Sequence, residues 1–157
     1  ISQPYIVAKM TEALIQHDKM SQKPLKNVLE IGTGCGYQSY ILSLFSKKVV
    51  SLERIKPLQE KAKKLLKGLK VTNVIFNVDD GSAIKDTKFD AILSAAAPLE
   101  VPLDLKKMLS VGGRMIIPVG DKNKQVLTLV TRTSKKEFIE EKLEDVLFVP
   151  LLKGVVS

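Results

Sequence analysis

An apolar run at residues 28–31 leads into three glycines at alternate positions, Gly32, Gly34 and Gly36, and then into a helix-forming stretch at 37–45. The apolar residues around Glu30 predict a short buried strand. Glycine has no Cβ, so the backbone can bend sharply there and a ligand can approach it closely. Strand, glycine turn and helix N-terminus, in that order, form a ligand cradle in a parallel α/β sheet.

The spacing narrows the ligand. The dinucleotide fingerprint is G-x-G-x-x-G, and here the third glycine comes one residue early. No Gly-Lys-Ser/Thr follows, so the turn is not a phosphate-gripping P-loop. Glu-x-Gly-x-Gly-x-Gly resembles the first motif of S-adenosylmethionine (SAM) methyltransferases. That resemblance implies a turn facing the methionine part of the ligand, with Glu30 contacting its ammonium group through water. Glu53 ends a β-prone run at 48–52 and lies 21 residues after Gly32. An acid about 20 residues past the first glycine accepts hydrogen bonds from ribose hydroxyls. The plainer alternative is a bare turn with a solvent-facing Glu53.

The remaining chain predicts more of the same alternation. Helical spacing of Ile6, Val7, Met10, Ala13 and Leu14 predicts a helix over 4–17, ending near His17. A helix over 55–69 carries a stripe of Leu58, Ala62, Leu65, Leu66 and Leu69, with Gly68 helping to stop it. Strands are expected at 73–78, 89–95, 114–119 and 125–133, and a last one at 145–152. A short helix or turn is expected at 102–109. This order predicts an α/β fold, doubly wound on a mostly parallel sheet, with a strand hairpin at the C-terminal end. Residues 1–157 are expected to form a single domain.

In such a sheet the ligand lies outside the carboxyl ends of the strands. Glu53 and Arg54 follow the second strand, Asp79, Asp80 and Gly81 the third, and Ala95–Pro98 the fourth. Asp80 can accept from an adenine amino group, and Gly81 lets the ring lie near the backbone. Asp-Asp-Gly is also a turn former in its own right.

Composition bounds the remaining possibilities. No run of 18 apolar residues suggests a membrane span. A single Cys excludes an internal disulfide and suits a reducing cytoplasm. One His and one Cys make no His/Cys metal cluster, so no metal is expected. The formal charge is +8, a balance that can favour nucleic acid. However, the lysines are dispersed. The densest set, Lys61, Lys63, Lys64, Lys67 and Lys70, reads as a solvated helix face.

Residues 1–8, Ile-Ser-Gln-Pro-Tyr-Ile-Val-Ala, are similar to the segment before the SAM motif in protein-L-isoaspartate (D-aspartate) O-methyltransferases. Residues 28–38, 51–54, 89–98, 112–120, Gln125 and 148–151 extend the resemblance along nearly the whole chain. It implies methylation of the α-carboxylate of isoaspartyl residues in damaged proteins and peptides, with SAM as donor and S-adenosyl-L-homocysteine as product. The methyl ester then cyclises to a succinimide, and hydrolysis returns some normal aspartate. The resemblance implies Ser2 as the group that positions the substrate carboxylate. From the residues alone, Ser2 before Gln-Pro reads as a helix cap. The implied cofactor contacts are Gln3, Pro4, Glu30, Gly32, Gly34, Cys35, Gly36, Gln38, Glu53, Arg54, Asp80 and Gly81.

Two departures stand out. The family pattern has Gly-Asp-Gly where this chain has Asp79-Asp80-Gly81. Family members also carry a section before the Ile-Ser-Gln-Pro segment that helps cover the substrate, so this chain is expected to be truncated at its N-terminus. A monomer acting in the cytoplasm, without specific nucleic acid or membrane, is expected. The rival readings are a SAM-dependent RNA methyltransferase and a catalytically silent SAM-binding module. Against the former, Ala95-Ala96-Ala97-Pro98 replaces the Asn/Asp-Pro-Pro-Tyr/Phe that would align a base.

Overall fold

The computed structural model describes residues 1–15 and 23–157. The helix expected to reach His17 is observed as α1, Pro4–Ile15; His17 itself lies outside the described residues. The chain continues through β1 (Leu25–Ile31), α2 (Tyr37–Phe45), β2 (Ser46–Glu53), α3 (Lys56–Gly68), β3 (Val74–Val78), β4 (Phe89–Ser94) and β5 (Ala96–Ala97). It ends with α4 (Leu103–Met108), β6 (Leu109–Gly120), β7 (Gln125–Arg132), β8 (Phe138–Val146) and β9 (Val149–Pro150).

Seven strands form one sheet in the order β3-β2-β1-β4-β6-β7-β8. The pairings from β3 through β6 are parallel, and β6-β7 and β7-β8 are antiparallel. This is the mostly parallel α/β sheet with a C-terminal hairpin that the sequence predicts. The order reverses beside β1, and there the crevice at the carboxyl ends opens.

Strand alternation sends successive side chains to opposite faces. Val28, Val49, Ala91, Leu93 and Ile116 pack with Met10, Ala13 and Leu14 of α1 and Leu42 of α2. Leu29, Ile31, Leu52, Ile92, Met115 and Ile117 pack with Leu105 and Met108 of α4. α1 is held across its face at several points. Arg114 donates from Nη1 to the Ala13 carbonyl at 2.8 Å, and Gln38 Nε2 donates to Thr11 Oγ1 at 2.9 Å. Lys9 pairs with Glu144 of β8 at 2.7 Å. These ties fix where the N-terminus of α1, and so Ser2, emerges. No helix among the described residues is long and apolar enough to cross a membrane.

Three expectations need correction. First, a strand was expected over 145–152, whereas β8 occupies 138–146 and takes in only Asp145 and Val146 of that run, and Val149–Pro150 pairs separately with β5 as β9. β8 is an edge strand, with Glu140, Glu141 and Lys142 exposed. Charge on an edge guards against intermolecular pairing, and it hides the strand from a hydrophobicity reading. Second, the α3 stripe is only half used. Ala62 and Leu66 are buried together with Gln59, while Leu58, Leu65 and Leu69 are exposed. Third, Gly68 does not stop α3. Lys70 takes the left-handed conformation (φ 61°), and its N–H and that of Val71 donate to the Lys67 and Leu66 carbonyls, which closes the helix in a Schellman motif.

Candidate active site

The glycines of the turn carry different duties. All three have positive φ, 91°, 54° and 87° for Gly32, Gly34 and Gly36. A Cβ on Gly32 would sit 3.3 Å from Ala95 Cβ, so glycine lets β1 and β4 end side by side. A Cβ on Gly36 would meet Leu66 Cδ1 at 2.9 Å and Ala62 Cβ at 3.2 Å, so this position is a seat for α3. A Cβ on Gly34 would meet nothing within 4 Å. Gly34 therefore presents bare backbone to open space.

That space is a cavity of about 620 Å³ at the carboxyl ends of the strands, within the usual size range for small-molecule sites. Ser2, Gly32, Gly34, Cys35, Gln38, Glu53, Arg54 and Asp80 line it. Gln3, Pro4, Glu30, Gly36 and Gly81 do not line it. Gln3 instead accepts the first helical bond of α1, from the Val7 N–H at 3.1 Å. The cap position thus belongs to Gln3, and Ser2 stands one residue outside the helix on the cavity wall.

Glu53 is the most buried acid of the wall. Its carboxylate accepts from the Gly34 N–H and the Ile55 N–H, each at 3.0 Å, and the residue is 6% exposed. Each oxygen keeps lone-pair capacity for a further donor. Asp79 turns its carboxylate to the Gly81 N–H at 2.6 Å. Asp80 accepts from the Ser82 N–H at 2.9 Å and the Gly154 N–H at 2.6 Å. The bonds from Ser82 and Gly154 hold its carboxyl down at about 2.

Glu30 has a different place. It lies between Leu29 and Ile31, so its side chain points to the α1/α2 face, where it is fully buried. Ser39 of α2 and Ser51 of β2 both donate to its Oε2 at 2.5 Å, and Ser51 in turn shares a hydrogen bond with Thr33 at 2.6 Å. Oε1 has no partner among the described residues. Burial pushes its pKa up to about 7, against the opposing pull of the two serines. Between pH 4.5 and 7 the folded state therefore binds more protons than the unfolded chain, and stability falls as pH rises through that window. The Glu30→Gln variant, unable to ionise, is expected to gain on wild type by roughly 3 kcal/mol between pH 4.5 and 8. Urea unfolding of both proteins at several pH values measures this. A difference that stays constant with pH would refute it.

The sequence reading missed the other side of the cavity. Residues 147–152 line it. Leu151 donates its N–H to the Ala97 carbonyl at 2.9 Å, and β9 pairs with β5. The Gly154 carbonyl accepts from Arg54 Nε at 2.9 Å, and Val156 bridges to Ile55. The chain thus leaves β8 and crosses back over the crevice.

The model of the family "Protein-L-isoaspartate(D-aspartate) O-methyltransferase (PCMT)" matches residues 1–156. The chain belongs to this family. A Janthinobacterium sp. protein-L-isoaspartate O-methyltransferase is 47% identical over 159 residues, covering 100% of this chain and 53% of the relative. One from Saccharophagus degradans is 51% identical over 158 residues, covering 99% and 69%. The chain thus spans about half the length of the former and about two thirds of the latter. A solved Plasmodium falciparum structure, assigned to the same family and in complex with S-adenosyl-L-homocysteine, is 28% identical with a TM-score of 0.83. That match covers 98% of this chain and 76% of the other. The two chains thus share one fold over nearly all of this chain.

Proposed function

We propose that this chain forms the SAM-binding and catalytic core of a protein-L-isoaspartate O-methyltransferase. It takes the methyl group of SAM to the α-carboxylate of isoaspartyl residues in damaged proteins and peptides. The observation that carries this reading is the Glu53 carboxylate, pinned by Gly34 and Ile55 N–H groups on the wall of a cavity that also includes Ser2.

The residues fit the cofactor. Gly34 offers exposed backbone where a Cβ would meet nothing, so a ligand can lie against the turn. Glu53 would accept from the ribose hydroxyls, and Asp80, beside it in the cavity, from the adenine amino group. Cys35, Gln38 and Arg54 complete that wall. Glu30 Oε2 accepts from Ser51, which shares a hydrogen bond with Thr33 of the turn, and this supports a role for Glu30 behind the turn.

SAM supplies a methyl group already activated on a sulfonium. The substrate carboxylate is ionised at neutral pH. The protein therefore needs no strong base. Its task is alignment. Ser2, free of capping duty, would donate its hydroxyl to one carboxylate oxygen and leave the other aimed at the methyl carbon. We further propose that residues 1–157 fold as one domain and that the protein works as a monomer in the cytoplasm and takes no specific nucleic acid.

The test is methyl transfer from SAM to paired peptides, one isoaspartyl and one aspartyl, by the full-length protein. Transfer to the isoaspartyl peptide alone is expected; transfer to RNA, or to neither peptide, would defeat the reading. S-adenosylhomocysteine at 100 times its Kd should add about 2.7 kcal/mol of stability, a rise in Tm of roughly 5–10 °C. A larger shift with NAD would overturn the cofactor assignment.

A further inference from the structure

β6 ends at the carboxyl edge of the sheet, and the turn at 121–124 brings β7 back from that edge. β8, antiparallel to β7, finishes there too, with Val146 opposite Gln125. Beyond Val146 the chain must turn along the edge to reach the cavity, and no ladder bond of the large sheet guides it. The Gln125 side chain supplies the missing pairing. Its Oε1 accepts the Phe148 N–H at 2.7 Å, and its Nε2 donates to the Phe148 carbonyl at 3.0 Å. One primary amide thus imitates a strand neighbour, exchanging both bonds with a single residue. The second Nε2 hydrogen goes to the Asp121 carbonyl at 3.0 Å. Gln125 is 2% exposed.

The base of this clamp is rigid. Asp121 Oδ1 accepts from the Asn123 and Lys124 N–H groups. Gly120 donates its N–H to the Pro98 carbonyl at 2.9 Å, and a Cβ there would strike the Lys124 carbonyl. The clamped Phe148 is flanked by Leu147 and Val149, which are exposed although both line the cavity. Downstream, Pro150 has no N–H to donate, so the β5-β9 pairing is short and leaves Gln125 as the upstream anchor.

We infer that Gln125 is a positioning residue for substrate: its amide holds the 147–151 backbone as the substrate-facing wall of the cavity, without touching the cofactor. The site of cofactor contact, Glu53, Arg54 and Asp80, lies on the β2/β3 side of β1, and the clamped segment joins β5 on the β4 side. Neither Asn, one methylene shorter, nor Glu, with no donor, reproduces the three bonds. The inference rests on the methyltransferase reading.

The experiment uses the full-length protein with Gln125→Met, of similar length but without hydrogen bonds, and Gln125→Glu, which keeps only the acceptor for Phe148. For Gln125→Met the KM for an isoaspartyl peptide should rise at least tenfold, with S-adenosylhomocysteine affinity within about twofold of wild type. Gln125→Glu, which sets a buried carboxylate oxygen against the Phe148 and Asp121 carbonyls, should be impaired in the same direction. Amide exchange at Phe148 and Leu151 should quicken at least tenfold in Gln125→Met, while Ile117 and Leu129 keep wild-type protection. An unchanged peptide KM in a folded variant overturns the inference, as does a parallel loss of S-adenosylhomocysteine affinity. Wild type inactive on the isoaspartyl peptide would instead count against the function reading. The exchange measurement still decides the clamp in that event, because unaltered exchange at Phe148 removes it.

Discussion

Replacing Glu53 by alanine is expected to weaken S-adenosylhomocysteine binding by about 100-fold or more. Hydrogen bonds to a charged acceptor contribute about 1.5–3 kcal/mol each, and a ribose offers two hydroxyls. The carboxylate is already oriented by the Gly34 and Ile55 N–H groups, so ligand binding need not immobilise it. The same substitution removes the acceptor that ties the glycine turn to the end of β2. Part of the loss will therefore appear as stability, and affinity must be measured where the variant is folded, by calorimetric titration after checking its unfolding curve. Glu53→Gln separates the two effects, since it keeps one acceptor oxygen and removes the charge. Wild-type affinity in a folded Glu53→Ala protein would remove this residue from the site.

Ser2→Ala is expected to lower the single-turnover rate of methyl transfer about 100-fold, the cost of misplacing a reacting group by about an ångström, with SAM affinity unchanged. The structure sharpens this expectation by moving the cap to Gln3. A capping serine would cost about 1 kcal/mol of stability on truncation; Ser2, outside the helix, should cost much less. Rate, affinity and stability measured together on the full-length variant decide the matter. An unaltered rate in folded protein would mean that Ser2 does not orient the substrate.

The glycine turn, Glu53 and the parallel order were legible because local chemistry fixes each of them. A glycine at positive φ, an acid at a strand end and a period of alternating strands and helices all leave marks within about twenty residues. The wall at 147–152 left no such mark. Its conformation depends on Gln125, Ala97 and Arg54, partners 23 to 100 residues away, and an apolar run read without them looks like a strand. β8 failed in the opposite way, since its charges suit an edge but conceal the pairing with β7. The resemblance implies that Glu30 contacts the ligand's ammonium group through water. In the fold it is fully buried, with Ser39 and Ser51 donating to its carboxylate, and only the packing of α2 against β1 and β2 reveals that cover.

The unequal glycines of one motif carry a lesson for any library built on this turn. Gly36 is fixed by its neighbours in the folded chain, Leu66 and Ala62, whatever the cavity holds. Gly34 is answerable only to its own backbone angle and to what enters the cavity. Selecting such a library for expression and protease resistance should retain Gly36 while admitting Asn, the residue that best tolerates left-handed backbone after glycine, at position 34. Selecting it for turnover should close position 34 again. The motif as written in the sequence is thus a superposition of two separate histories of constraint, one imposed by the interior and one by the guest.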